Sequence, residues 1–287
     1  MIPAAFDYHA PTSADEAIRL LGELASSGTD VKVLGGGQSL LPVMRLRLAA
    51  PEVVVDLSRA ADLSGVRDDG DAIVIGAMTT HDDVERDPLV REHALLLARA
   101  AHTVADPQVR HRGTFGGALV HADPAGDMPA PALALDAEMV VAGPGGRRTV
   151  PAAEFFTDVF TTAVGPDELL VEIRVPKYTG WGAHYEKFSR VAQAWSIVAV
   201  AAAVKVEGGS ITEARIGLTN MGSTPVRARS VEQALAGQPA TAEAVRAAAA
   251  SAAEGTTPPT DANADADYRR HLAQVLTSRA VLAAAGG

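Results

Sequence analysis

The chain has no cysteine among its 287 residues. That excludes disulfides and thiolate ligation of an iron–sulfur cluster, so any redox chemistry must come from a bound group. Basic residues are outnumbered by acidic ones, and the formal net charge is −10, which argues against a phosphate-backbone binder and hence against a nucleic-acid partner. Long hydrophobic runs are missing as well. The longest, "SIVAVAAAVKV" from Ser196 to Val206, falls short of a transmembrane span. The start, "MIPAAFDYHA", has no basic segment followed by an apolar run, so no secretory signal is read and a cytoplasmic location is expected. There is no G-x-S-x-G nucleophile elbow and no evident Ser-His-Asp grouping, which leaves hydrolysis by the chain's own side chains without motivation.

What is present is a soluble globular composition, 47% hydrophobic and 21% charged, and a length that suits two domains or one domain with two lobes. Ser13 and Glu16 form a capping-box pattern that opens a helix over Ser13–Ala25. Val31–Leu34 and Val53–Leu57 read as strands, and Asp69-Gly70 reads as a hairpin turn into the strand "AIVIGA". A helix is expected over Thr80–Ala101, interrupted at Pro88, followed by a long irregular segment from Asp106 to Asp127. Met139–Ala142 and Leu169–Val175 are further strands, and "PKYTGWG", Pro176 to Gly182, reads as a linker. Beyond it Ala183–Arg190, Trp195–Val206 and Ile211–Leu218 suggest an antiparallel meander, and the tail is helical over Ser230–Leu235, Ala242–Ala253 and Ala266–Ala284. The mixed order of elements predicts an α+β protein rather than a regular βαβ winding.

Two glycine-rich segments carry the chemistry. In "VLGGGQSLLPVMRLRL", Gly35, Gly36 and Gly37 offer consecutive side-chain-free N–H groups, and Gln38 or Ser39 opens a helix, so the run is either a tight turn needing positive φ or an anion cradle. It is neither the G-x-G-x-x-G fingerprint, since the third glycine would fall at Leu40, nor a P-loop. "RGTFGG", from Arg112 to Gly117, repeats the idea with a Thr114 hydroxyl and with Arg110 and Arg112 nearby. Together the two segments suit a pyrophosphate; spacing does not say whether they meet. Downstream, Asp123 and Asp127 in "HADPAGD" offer acceptors for sugar hydroxyls, although Asp127 also suits an N-cap before "MPAPALAL". A metal formed by His111, His121, Asp123 and Asp127 has no i, i+4 His pair to support it, so no metal is assigned. His81 reads as a helix-start residue, and no catalytic side chain is assigned. The chemistry left is that of a held organic cofactor.

The motifs "GGGQSLLPVMRLRL", "IGAMTTH", "VADPQVRHRGTFGGALVHADPAGDMPA" and "DELLVEIRVP" resemble the FAD-binding medium subunit of the molybdenum hydroxylases, the family of aerobic carbon monoxide dehydrogenase and of the flavin portion of xanthine dehydrogenase. The resemblance covers nearly the whole chain. It implies a two-lobed FAD-binding domain of vanillyl-alcohol-oxidase type over residues 1–177, with lobes of about 1–57 and 58–177. A domain of three antiparallel strands with packed helices would follow over 178–287. It implies that Gly35, Gly36, Gly37, Gln38 and Ser39, with Thr114, Phe115, Gly116, Gly117 and Ala118, wrap the FAD pyrophosphate through backbone amides, and that Lys32, Val33 and Leu34 are among the cofactor-binding residues. By the same resemblance Asp127, beside Asp123, bonds FAD hydroxyls, Leu170 lines the flavin pocket, and Lys187 approaches from the C-terminal domain. Trp195 stands where relatives place an aromatic, usually Tyr, over the isoalloxazine; it is either that stacking residue or a core aromatic, and Tyr185 is the fallback stacker.

The implied partners are a large molybdopterin subunit and a small subunit with two two-iron two-sulfur clusters, in a dimer of heterotrimers. Electrons would reach FAD and then an external acceptor, quinone or another carrier, and the complex could associate with the inner face of the membrane. Carbon monoxide is the expected substrate of the partner, with a xanthine, aldehyde or N-heterocycle dehydrogenase as the alternative. A stand-alone FAD oxidase and a regulatory nucleotide-binding module are the remaining classes.

Overall fold

The computed structural model describes residues 2–286. Among these the chain forms four sheets. The first is a parallel sheet of three strands in the order Asp7–His9, Val53–Asp56, Val31–Leu34. The helix Ala14–Ser26 packs on it through Ala14, Ala17 and Leu21. Ser13 caps this helix by accepting from the Glu16 N–H (3.2 Å), but the Glu16 carboxylate reaches back to Thr12 rather than to Ser13. Only half of the expected capping box is therefore made.

The second sheet is antiparallel, in the order Val66–Asp69, Ala72–Gly76, Leu169–Pro176, Glu138–Gly143, Gly146–Pro151. Its central strand serves two cores. Leu169 and Val171 face the first sheet, whereas Leu170, Ile173 and Val175 face the helices on the other side. The change of parity comes from a register shift between Leu170 and Glu172, because one extra residue in a strand turns every later side chain to the opposite face.

The helices on that far side depart from the sequence reading in two places. The expected Thr80–Ala101 helix is interrupted at Pro88 as read, with Asp87 capping the new start, but it also breaks at Ala94, giving His81–Arg86, Pro88–His93 and Leu95–His102. The segment 106–127, expected to be irregular, holds two short helices, Pro107–Arg110 and Phe115–His121. Asp106 and Thr114 cap them by accepting from the Val109 and Gly117 N–H groups, as N-cap residues do. A two-stranded hairpin, Phe156–Asp158 with Thr161–Thr162, lies beyond.

The last sheet has four strands rather than the three expected: Gly182–Phe188, Val198–Glu207, Ser210–Thr219 and a short Val226–Arg227. Its second strand explains why "SIVAVAAAVKV" is apolar throughout. Ala199, Ala201 and Ala203 face the core shared with the second sheet, while Val198, Val200, Ala202 and Val204 face the helices Arg229–Leu235, Ala242–Ala249 and Ala266–Gly286. A strand buried on both faces needs no polar alternation. Alanine on one face and valine on the other sets the separation of the layers. Gly217, on the neighbouring strand, permits a close approach, since a Cβ there would stand 2.4 Å from the Ala130 carbonyl oxygen of the helix Pro129–Ala134. Gly217→Ala is expected to cost about 1–3 kcal/mol, as overpacking against main chain does. Thermal unfolding would register this as a lower Tm, and an unchanged Tm would contradict the packing described.

Candidate functional site

Leu34 ends the edge strand of the parallel sheet, and the chain then runs through Gly35–Ser39 into the helix Leu40–Arg45. Gly37 has φ +76°, and its O accepts from the Leu41 N–H (3.0 Å). The Gln38 side-chain amide donates back to the Gly36 carbonyl (3.1 Å). Among the described residues, no main-chain N–H from Gly35 through Leu40 has an acceptor in the protein. Unpaired N–H groups on successive residues form a concave positive patch, and at a helix start the peptide dipoles add to it. A run of this kind needs either water or an anion.

The second segment lies directly against the first. A Cβ on Gly36 would stand 1.8 Å from the Arg112 carbonyl oxygen and 2.7 Å from the Gly113 Cα; one on Gly35 would stand 3.0 Å from the Thr114 hydroxyl. The two glycine segments therefore converge. This corrects the reason expected for the glycines: what forbids a side chain at Gly36 is the main chain of the other segment, and at Gly37 it is the left-handed φ together with the Leu41 side chain, 2.8 Å from a Cβ.

The second segment also spends its donors differently from expectation. The N–H groups of Phe115 and Gly116 go to the Thr79 and Ala77 carbonyls (2.9 Å each), that of Ala118 to the Thr114 carbonyl (3.0 Å), and that of Gly117 to the Thr114 hydroxyl (3.2 Å). Backbone wrapping by Phe115, Gly116 and Ala118 does not fit these bonds. Phe115 itself is a core side chain, and Gly116 is required because a Cβ would stand 2.6–2.8 Å from Ala77. What this segment turns outward is the Thr114 N–H, without an acceptor among the described residues, and the exposed main chain of Gly117.

Asp127 is not an N-cap, since Met128 holds that place before Pro129–Ala134. Its carboxylate is buried and accepts from three side chains: Lys187 Nζ (2.7 Å), Tyr185 Oη (2.9 Å) and Ser196 Oγ (2.8 Å). Burial pushes the Asp127 carboxyl up, and the Lys187 charge and the three hydrogen bonds oppose that shift. Lys187 also donates to the Thr103 carbonyl (3.0 Å), so one ammonium from the four-stranded sheet ties down both the Asp loop and the end of Leu95–His102. Asp123 closes its own turn, accepting from the Ala125 N–H (2.9 Å). The His111, His121, Asp123 and Asp127 grouping forms no metal site among the described residues.

The other sequence candidates separate clearly. Lys32 and Val33 are exposed on the edge strand, whereas Leu170 is sealed in the second-sheet core. Tyr185 is buried with its hydroxyl on Asp127, and burial pushes that phenol well up; it has no free face and is withdrawn as a stacking residue. Trp195 is 56% exposed, which ends its reading as a core aromatic. Sequence reasoning passed over Ser196 and Asn220. The available signals were a serine opening the apolar run "SIVAVAAAV" and an asparagine closing the strand in "LTNMGS".

Two converging main-chain loops, one of them with unpaired N–H groups among the described residues, suit an anionic cofactor. Comparison with known proteins agrees. Residues 4–178 match the model described as the FAD binding domain in molybdopterin dehydrogenase, and residues 183–284 match the CO dehydrogenase flavoprotein C-terminal domain. The carbon monoxide dehydrogenase medium chain of Hydrogenophaga pseudoflava is 44% identical, covering 99% of this chain and 98% of its own length. A solved carbon monoxide dehydrogenase from the same organism, lacking the Mo-pyranopterin moiety of the molybdenum cofactor, superposes with a TM-score of 0.94 at 46% identity over 99% of this chain and 98% of that one. The xanthine dehydrogenase FAD-binding subunit of Escherichia coli O157:H7 is 28% identical over 98% of this chain and 97% of its own. The chain belongs to the family of FAD-binding medium subunits of the molybdenum hydroxylases. It is an oxidoreductase subunit, and its cofactor is FAD.

His81 underlies the second loop. It begins its helix, donates its N–H to the Gly113 carbonyl (2.9 Å) and packs its ring where a Gly113 Cβ would be, 3.0 Å away. Its Nδ1 is buried without a partner, and burial, then the Arg110 charge, push the imidazole down from 6.5 to about 4. The unfolded chain takes up this proton below pH 6.5 and the folded chain only near pH 4. Stability from His81 is therefore full above 6.5 and is lost as pH falls toward 4, by about 3 kcal/mol. His81→Leu is expected to flatten the acid limb of a stability–pH profile by about that amount. An acid limb of unchanged slope would assign the effect to other groups.

Proposed function

We propose that this chain is the electron-transfer subunit of an aerobic carbon monoxide dehydrogenase, with FAD seated on the Gly35–Leu40 cradle. The observation that carries this reading is the run of unpaired N–H groups facing the Thr114–Gly117 turn, which suits two adjacent phosphates. When bound, FAD supplies a relay that takes electrons from iron–sulfur clusters of a partner and passes them to an external acceptor such as quinone. The protein's part is to bind and orient. Lys32, Val33 and Leu34 lead into the cradle; Gly35, Gly36, Gly37, Gln38 and Ser39 donate to the pyrophosphate; Thr114 and Gly117 close its other side. Asp123 and Asp127 lie toward the sugar and ribityl hydroxyls, with Lys187 fixing the orientation of Asp127, Leu170 backing the pocket, and Trp195 offering its exposed face to the ring system.

In this reading residues 1–177 form the two-lobed vanillyl-alcohol-oxidase-type domain, with lobes of about 1–57 and 58–177, and 178–287 form the second domain. The absence of cysteine keeps thiolate-ligated clusters off this chain; in this reading they sit on a small subunit, and substrate is oxidised on a large molybdopterin subunit. A dimer of these heterotrimers, in the cytoplasm or at the inner face of the membrane, completes the assembly. No helix among the described residues is long and apolar enough to cross a membrane. Carbon monoxide is preferred over xanthine because similarity to the carbon monoxide enzyme's medium chain, at 44%, exceeds the 28% to the xanthine enzyme's subunit.

Purification from the native host is expected to give a yellow complex with two co-purifying chains, one carrying molybdenum, that oxidises carbon monoxide. Turnover of xanthine in place of carbon monoxide would move the substrate assignment, and a colourless solitary chain would end the reading. Gly36→Ala is expected to force the two loops apart at a cost of about 1–3 kcal/mol and to leave most of the purified chain without flavin. Normal flavin content in that variant would contradict the cradle.

A further inference from the structure

Trp195 presents more than half of its surface to solvent, yet the two residues after it are tied down from every side. Ser196 is 2% exposed and donates its hydroxyl to Asp127 Oδ1 (2.8 Å). Its carbonyl accepts from Asn220 Nδ2 (2.9 Å), and the same nitrogen reaches the Ile197 carbonyl (3.2 Å). That second carbonyl also accepts from the guanidinium of Arg269, which has no exposed surface and meets the Asp261 carboxylate at 2.7 Å. The Ile197 N–H closes the excursion between the two strands by donating to the Phe188 carbonyl (2.8 Å). Asn220 holds its place in a left-handed conformation, φ 63°, and its own N–H donates to the Pro124 carbonyl (2.8 Å).

These interactions are expensive. A buried guanidinium and a buried carboxylate each need partners to be tolerated at all, and a left-handed asparagine stores backbone strain. A fold that merely had to turn the chain between two strands would need none of them. Fixing the main chain beside an exposed indole instead gives that indole a set position, so little ordering is left for contact with a ligand. The ties also run to one place: Asn220 and Ser196 grip the loop 123–127, which continues from the glycine helix Phe115–His121.

We infer that Ser196, Asn220 and Arg269 are positioning residues, a pedestal that holds the Trp195 indole against the flavin ring and registers it to the Asp127 loop. This inference rests on the FAD reading above. It assigns no contact with the cofactor to the pedestal residues themselves.

The test uses the full chain, holding FAD, and the emission of its flavin, which a stacked indole quenches. Trp195→Ala sets the unquenched level. Asn220→Gly keeps the left-handed backbone while removing the side-chain amide, and Ser196→Ala removes only a hydroxyl. The expected result is wild-type FAD content in both pedestal variants, with flavin emission raised several-fold toward the Trp195→Ala level. Combining Asn220→Gly with Trp195→Ala should add nothing further, as for residues acting through one side chain. Emission at the wild-type level in both pedestal variants, alongside raised emission in Trp195→Ala, would overturn the pedestal while leaving the FAD reading intact. Loss of FAD from both variants but not from Trp195→Ala would also overturn it, by making them binding residues. A wild-type chain that never carries flavin would instead sink the reading beneath it.

Discussion

The site depends on one steric constraint, the main-chain contact of Gly36 with Arg112 and Gly113. No residue with a Cβ fits there, so the strand end of the parallel sheet and the loop before the glycine helix can approach only with glycine between them. The second loop is rigid in that contact because its own N–H groups are bonded to Ala77 and Thr79 at the end of the Ala72–Gly76 strand. It acts as a wall against which the first loop is folded. The first loop is thereby held open, with its N–H groups from Gly35 to Leu40 directed away from any protein acceptor. Native structures rarely leave such a run unpaired, and the partner that fits its sign and spacing is a phosphate pair.

Although the chain's net charge is −10, the main-chain N–H groups from Gly35 to Leu40 have no protein acceptor among the described residues, and fixed main-chain dipoles of this kind favour an anion. Side-chain charge enters in one buried place. Lys187 and Asp127 bring the four-stranded sheet and the Asp loop together, and the carboxylate also accepts from Tyr185 and Ser196, so the buried pair is hydrogen-bonded as burial requires. The packing supports this division of labour. The central strands Leu169–Pro176 and Val198–Glu207 are buried on both faces and join three cores into one stack, which fixes the loops at the sheet ends relative to one another.

Much of this was legible in the sequence wherever one local rule decides the outcome. The strands Val31–Leu34, Val53–Asp56, Ala72–Gly76 and Leu169–Pro176, the break at Pro88, the helical tail and the two glycine segments follow from periodicity, proline and glycine chemistry, whereas Asp7–His9, Gly146–Pro151 and the hairpin over 156–162 were not read. The convergence of those segments was not legible, because the contact of Gly36 with Arg112 joins positions far apart in the chain and no spacing rule links them. The fate of the N–H groups was hidden for the same reason: the acceptors of Phe115 and Gly116 belong to Thr79 and Ala77, so a glycine-rich run that looked like a cradle is a wall. The fallback stacking role of Tyr185 and the core reading of Trp195 both fell on burial alone, a tertiary property, although strand alternation across Gly182–Phe188 would have turned Tyr185 and Lys187 to the same face as Ala183. The fourth strand, Val226–Arg227, is too short to leave a periodic signal.

Hydrogen–deuterium exchange of the flavin-free chain, before and after addition of FAD, tests the central claim directly. The cradle account predicts that the amides from Gly35 to Leu40 exchange fast without FAD and slow sharply with it, while those of Phe115, Gly116 and Ala118 are slow in both states. Exchange in the first loop that FAD leaves unchanged, with new protection confined to the second, would contradict the account.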